Sequence, residues 1–308
     1  LAGYSDYTAT AIHNWETGQL AFPAVPAVYF ALFTTAPTSD AGTGGTEVSG
    51  GSYARVQVAG TATTNGTTAA GNATLHFAST PAWIVAGMSV RDVTASTVIP
   101  AATTVLSTTG TTVVMSANAT GAGVGGTDVI IFSAFTPPAA SVGTEPSVTP
   151  VTTTNTGAII TFAQATASWG TAQAWGAYDS LTSGNLLRWD YLGNYKWLPF
   201  SASAASPSVI TSPAHGYSLT GTGGAADVLV VTTKFGGTLP TLSAGSFNPT
   251  LLVAATVATD TFTLTTSGAT ALNASTTGDG MIRKIVLQPI AINVTPSFAA
   301  GTMVLTTA

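Results

Sequence analysis

The chain has 308 residues, with only 7 Lys or Arg against 12 Asp or Glu and a formal net charge of -5, so it cannot lay an extended basic track along phosphates and no nucleic-acid partner is expected. Cysteine is absent, which excludes a thiolate zinc site, a catalytic thiol and a disulfide-stapled fold. Hydrophobic residues at 45% are too many for a disordered chain, while charged residues at 6% leave a surface better covered by other protein than solvated alone.

The first residues, Leu1-Ala2-Gly3-Tyr4-Ser5-Asp6, hold no basic stretch followed by an apolar one, so no signal peptide is expected. The missing initiator Met predicts trimming by at least one residue. Residues 7–20 are the best helical candidate, with Ile12, Trp15 and Leu20 toward one side. The arm 1–20 is expected either to cap its own domain or to lie across a neighbour, with Trp15 as the anchor. Elsewhere β-branched residues alternate with small polar ones between glycine-rich turns, the pattern of strands. Strands are predicted over 28–34, 55–59, 159–163, 174–178, 186–190, 282–288 and 303–306. The mean hydropathy is +0.40, but the apolar residues are dispersed. No run approaches the ~18 that a membrane helix needs, so no membrane partner is expected.

Two blocks of another character interrupt this series. Residues 61–74 contain only Thr, Ala, Gly and Asn and read as a linker or long loop. Five short strands follow, over 75–77, 85–90, 103–107, 112–116 and 128–132. Pro137, Pro138, Pro146 and Pro150 mark an exit linker. The second block has strands over 208–211, 228–232, 251–255 and 261–265 and closes with a Thr/Gly/Asn-rich run at about 266–280. Insertion of modules into surface loops is physically tolerated. The expected fold is therefore all-β: a discontinuous β-sandwich-like base domain with two inserted small β-modules. Its parts are 1–60, 139–200 and 282–308 for the base, with modules at 61–138 and 201–281.

The chemistry-bearing residues are sparse. Gly44, Gly45, Gly50 and Gly51 have no following helix pattern and no Lys-Ser or Lys-Thr pair, so they read as turns and not a phosphate loop. Glu47 and Arg55 are rare charges close in sequence, either a local staple or a contact across a subunit interface. Trp169, Trp175, Trp189 and Trp197, with Tyr178, Tyr191 and Tyr195, concentrate within 29 residues. They read as the packing of a β-sandwich core, or else as a sugar platform or interface anchor. His13, His76 and His215 are scattered, and no nucleophile elbow or acid pair is signalled, so no metal, cofactor or catalytic residue is expected.

The run Leu32-Phe-Thr-Thr-Ala-Pro37 followed by Gly44-Gly-Thr-Glu-Val-Ser-Gly-Gly-Ser-Tyr-Ala-Arg55 resembles a small family of tailed-bacteriophage virion proteins, described as tail-fibre-like or minor structural proteins. Ile159–Phe162, Trp169-Gly170, Tyr178-Asp179 and Gly184-Asn-Leu-Leu187 fill the roles of that family's second half, about 100 residues later than usual. Ala86-Gly-Met-Ser-Val-Arg-Asp92, Ile99–Val105 and Thr111–Ser116 resemble a β-module recurrent in phage structural proteins. His215-Gly-Tyr217, Gly237–Pro240, Leu242–Gly245 and Asp260–Leu264 resemble a second. The resemblance implies a non-enzymatic structural protein located in the virion, most simply a capsid decoration or cement protein. The alternative is a tail or tail-fibre-like protein, including a glycan-binding adhesin. Implied partners are copies of itself, as a homo-oligomer and specifically a trimer, and the major capsid protein or other virion proteins. The interface candidates are Trp15, Glu47, Tyr53, Arg55, Trp169, Trp175, Trp189 and Trp197.

Overall fold

The computed structural model describes residues 3–21, 27–37, 43–136, 152–155, 157–193, 195–219, 226–234, 236–247 and 251–306. Among these the fold is almost wholly β, with a single α-helix at Asp6–Glu16. The chain divides into two compact units, one of Ala2–Asp190 with Pro289–Ala308 and one of Tyr191–Gln288.

The first unit is organised on one large sheet. Its hydrogen-bonded order is Gly3–Tyr4, Leu186–Tyr191, Ala174–Tyr178, Ala27–Thr35, Val56–Thr63, Val129–Ser133 and Ser89–Asp92, and Thr46–Glu47 also pairs with Ala27–Thr35. Ala27–Thr35 is central because its apolar run lets both faces be covered: Phe30, Ala31, Leu32 and Phe33 are all essentially buried. Trp175 stacks on Phe30 with ring centroids 5.0 Å apart. A three-stranded sheet of Thr74–His76, Thr112–Met115 and Val105–Thr108 packs its own core of Leu75, Val105, Val113 and Met115. The end of the chain returns to this unit in short antiparallel ladders, Thr152–Thr154 with Val304–Thr306 and Ile160–Thr161 with Ser297–Phe298. Between those ladders Asn155 is fully buried. Its Nδ2 donates to the carbonyls of Ala158 and Ala299, and its Oδ1 accepts from the Met303 amide.

Two expectations change here. The boundary at residues 60 and 61 falls inside the Val56–Thr63 strand, whose second half pairs with Val129–Ser133. Three of the five strands expected in the first module form the small sheet, while Ser89–Asp92 and Val129–Ser133 extend the large one. The Thr-rich stretch is also not a plain linker. Thr64 and Thr68 are buried, and their hydroxyls donate to the Gly125 and Thr74 carbonyls. Threonine can serve a ladder through its backbone and an adjoining turn through its hydroxyl, so composition alone mistook structure for loop. The four prolines of the expected exit linker lie outside the described residues.

The second unit is a closed barrel. Its strand order is Leu198–Ala202, Ile210–Thr211, Thr261–Thr266, Leu251–Ala258, Val228–Thr232 and Gly278–Ile285, which pairs back to Leu198–Ala202. Alternate inward positions fill it with Phe200, Ile210, Leu229, Leu251, Val253, Phe262, Leu264 and Ile282. The expected boundaries at residues 200 and 201 and at 281 and 282 both fall inside staves of this barrel, Leu198–Ala202 and Gly278–Ile285. Closure leaves no exposed edge, a gain that pattern reading of single strands cannot register. Within the expected closing loop, Asn273–Ala274 pairs with Leu242–Ala244.

His215 is built into the barrel core. It is buried, stacks edgewise on Phe262 at 4.6 Å, and its Nδ1 accepts from the Tyr217 amide at 2.8 Å. Burial lowers its proton affinity, and the nearby Asp260 charge only partly opposes this. An unfolded histidine protonates near pH 6.5. The folded one does so at lower pH, so below about 6.5 the unfolded chain binds more protons and the barrel loses stability. The expected result is a lower barrel Tm at pH 5 than at pH 7.5 in thermal melts, with the difference reduced in His215→Asn. An equal pH response in that variant would show that other groups cause it.

Candidate functional site

The glycine-rich segment 44–55 builds a network internal to the first unit. Glu47 is placed opposite Phe33 by strand pairing. Arg55 grips it with a two-pronged ion pair, Nε to Oε1 at 2.9 Å and Nη2 to Oε2 at 2.7 Å. The other arm of the guanidinium, Nη1, donates to the carbonyls of Ser180 at 2.9 Å and Ser183 at 2.6 Å. The face of the guanidinium lies 3.5 Å from the centroid of the Tyr178 ring. Only 8% of the Arg55 side chain is exposed, against 26% for Glu47. Burial by itself would lower the proton affinity of Arg55, and the bonds and charge of Glu47 reverse that to a net rise.

Tyr53 ties this pair to the central strand. Its hydroxyl donates to Glu47 Oε1 at 3.0 Å and accepts from the Leu32 amide at 2.9 Å. Burial pushes that hydroxyl far above its ordinary range, so it stays protonated. Trp169 meets the Tyr53 ring edgewise at 5.2 Å and donates from Nε1 to the Gly51 carbonyl at 2.8 Å. Gly51 has φ +55, and a Cβ there would lie 2.9 Å from that indole nitrogen, so the close approach requires glycine. Glu47 and Arg55 thus form a staple within the first unit. The structure brings together Glu47, Tyr53, Arg55 and Trp169, and adds Tyr178 and the 180–183 turn, which spacing in the sequence did not link to Arg55.

The remaining aromatics divide. Trp169, Trp175 and Trp189 are each about 5% exposed or less and belong to the packed interior, so they present no ring face to a sugar. Trp197 lies in the second unit, half-buried, with Tyr191 edgewise at 6.4 Å and the Arg283 guanidinium 5.7 Å from its ring. Tyr195 is exposed, and Lys284 sits 5.2 Å from its ring while pairing with Asp227 at 2.6 Å. His13 faces Glu16 at 3.9 Å on the exposed helix. Among the described residues no three His, Asp or Glu cluster as metal ligands, and no helix is long and apolar enough to cross a membrane.

Trp15 stands apart. Gly3 and Tyr4 pair with Trp189 and Arg188 at the edge of the large sheet. Ser5 caps the helix, accepting from the Thr8 amide, and its hydroxyl donates to the Leu186 carbonyl. Thr8 Oγ1 donates to the Leu187 carbonyl at 2.8 Å. After this first turn the helix buries no residue at all. Tyr7, Trp15 and Leu20 are 41%, 58% and 65% exposed. Tyr7, Thr10, Ala11 and Asn14, spaced as neighbours on one helical face, line a cavity of 390 Å³ with Asp6, Leu20 and Ala21. Such an arm is fixed at its root and offers apolar area beyond it.

Residues 3–136, fewer than half of the chain, match the protein family described as Podophage GP4 fiber I protein gp80. No curated protein and no solved structure matches the chain. The matched stretch includes the helical arm, the Glu47–Arg55 segment and the small three-stranded sheet, and over it the chain is similar to a phage fibre family, consistent with a virion-associated structural protein.

Proposed function

We propose that the protein is a non-enzymatic structural subunit of a phage virion, of tail-fibre type, that docks to a neighbouring virion protein through its N-terminal arm. The observation that carries this is the helix Asp6–Glu16, rooted in its own sheet yet burying no side chain, within the stretch that matches a fibre family. Glu47 and Arg55 serve to hold the arm's platform rigid. The charge-poor surface supports self-association, with a trimer as the form proposed.

The double change Trp15→Ala, Leu20→Ala, which spares the Gly3–Tyr4 pairing and the Ser5 and Thr8 hydrogen bonds, should leave the Tm nearly unchanged and weaken attachment to particles stripped of the protein. Loss of a buried Trp anchor costs about 2 kcal/mol or more, roughly 30-fold in affinity. Unchanged attachment would overturn the arm as the contact, and unfolding would make it part of the core. Gold-labelled antibody on intact particles should mark the tail. Label spread over the shell would make the protein a decoration protein instead. Light scattering should show more than one 30.6 kDa chain per particle.

A further inference from the structure

Two aspartates meet inside the first unit. Asp92 ends the strand Ser89–Asp92, and Asp128 immediately precedes Val129–Ser133. Asp92 stands opposite Ile130 in the antiparallel ladder. The ladder continues with the Val93 amide donating to the Val129 carbonyl. Side chains alternate along a strand, so Asp128, two residues before Ile130, shares a face with Asp92 as its diagonal neighbour. Asp92 is 1% exposed and Asp128 9%.

The hydrogen bonds occupy one oxygen of each acid and leave Asp92 Oδ2 without a donor. Asp92 Oδ1 accepts from the amides of Thr94 at 2.8 Å and Ala95 at 2.9 Å. Asp128 Oδ2 accepts from the Gly125 amide at 2.6 Å. Asp92 Oδ2 is buried and has no donor. With both acids ionised, two acceptors would face each other out of water, an arrangement that is costly at short range. One proton turns that contact into a hydrogen bond from one carboxyl to the other carboxylate. Residues 61–68, 93–95 and 123–127 hold no ionisable side chain, Arg91 on the same strand is exposed, and the half-buried His76 lies beside Gly66 on the adjoining strand.

We propose that Asp92 and Asp128 hold one proton between them as a reversible clamp at the junction of the 93–95 turn, the 123–128 loop and the end of the Val56–Thr63 strand. Thr64 completes this junction, donating from Oγ1 to the Gly125 carbonyl and accepting from the Asp128 amide at 2.8 Å. Burial raises the proton affinity of Asp92, the two amides oppose that, and the Asp128 charge raises it further. An unfolded aspartate loses its proton near pH 3.9. In the folded chain the loss comes at higher pH. The clamp's contribution is therefore complete below about 3.9 and lost as pH rises through the folded value.

The test is thermal unfolding of the full chain and of Asp92→Asn from pH 4 to pH 8. An asparagine keeps the acceptor for Thr94 and Ala95 and donates permanently to Asp128, imitating the protonated state. Asp92→Asn should raise the Tm at pH 8 by about 2–4 °C and give no gain at pH 4. Asp128→Asn should show the same convergence toward low pH, and covers the case in which the first variant does not fold. A constant difference across the whole range, or none, would overturn the proposal. So would 5 mM calcium chloride raising the Tm of the unaltered chain at pH 8 but not that of Asp92→Asn, because the pair would then hold a cation and not a proton.

Discussion

Gly87→Ala is expected to abolish the folded first unit or lower its Tm beyond the reach of ordinary buffer conditions. Gly87 has φ +86, and its amide donates to the Val105 carbonyl at 2.8 Å. A Cβ built there would lie 1.8 Å from the Gly157 carbonyl oxygen and 2.2 Å from its carbon. Both obstacles are backbone, so no side chain can swing aside. Gly157 in turn precedes Ala158 and Ile160, both buried, and follows the Asn155 hub by two residues. Relief would have to part segments that the rest of the unit holds together. The backbone strain alone costs about 1–3 kcal/mol, and the collision carries the total above about 4 kcal/mol, beyond most point substitutions. Gly71→Ala is the matched control, because Gly71 has φ +84 with nothing within 4 Å. It should cost only the conformational part, about 1–2 kcal/mol. Parallel melts of the two variants check this, and equal losses would mean that the crossing at Gly157 yields freely.

Arg55→Ala is expected to destabilise the first unit by about 3 kcal/mol, roughly 6–12 °C in Tm. It removes a two-pronged ion pair, two carbonyl contacts and the stack on Tyr178 at once. What remains is Glu47 with its Tyr53 bond but without a cation, one quarter of its side chain still reaching water. That partial exposure keeps the loss toward the lower end for a broken internal pair. Glu47→Gln should cost less, since a glutamine oxygen still accepts a hydrogen bond and Arg55 keeps the Ser180 and Ser183 carbonyls. Arg55→Lys should recover little, because an ammonium cannot span Glu47 and the 180–183 turn as a planar fork does. A double-mutant cycle of the Ala and Gln changes measures the coupling, and additive losses would show that the charges act independently.

Both predictions concern features whose residues were visible in the sequence but whose partners were not. Local composition was enough for the dominance of strands, the early helix and several core segments: Ala174–Tyr178 and Val228–Thr232 occupy the positions that alternation and β-branching predicted. It was also enough to mark Glu47 and Arg55 as unusual, since charge is rare in this chain. These signals survive because side-chain period and turn chemistry act within a few residues.

What tertiary structure alone decided is pairing over distance. Arg55 and the Ser180–Ser183 turn are more than 120 residues apart, and nothing local announces their meeting. The aromatic concentration at 169–197 read first as core packing and second as a sugar platform or interface anchor, and only packing against Phe30, Tyr53 and Gly51 put Trp175 and Trp169 inside. The threonine-rich stretches looked like linkers because their hydrophobic signal is weak, yet backbone ladders and hydroxyl bonds order them once a partner strand is present. The barrel shows the same limit most clearly. Leu198–Ala202 and Gly278–Ile285 pair because closing the sheet satisfies both of their edges, and that free energy exists only when all six strands are in place.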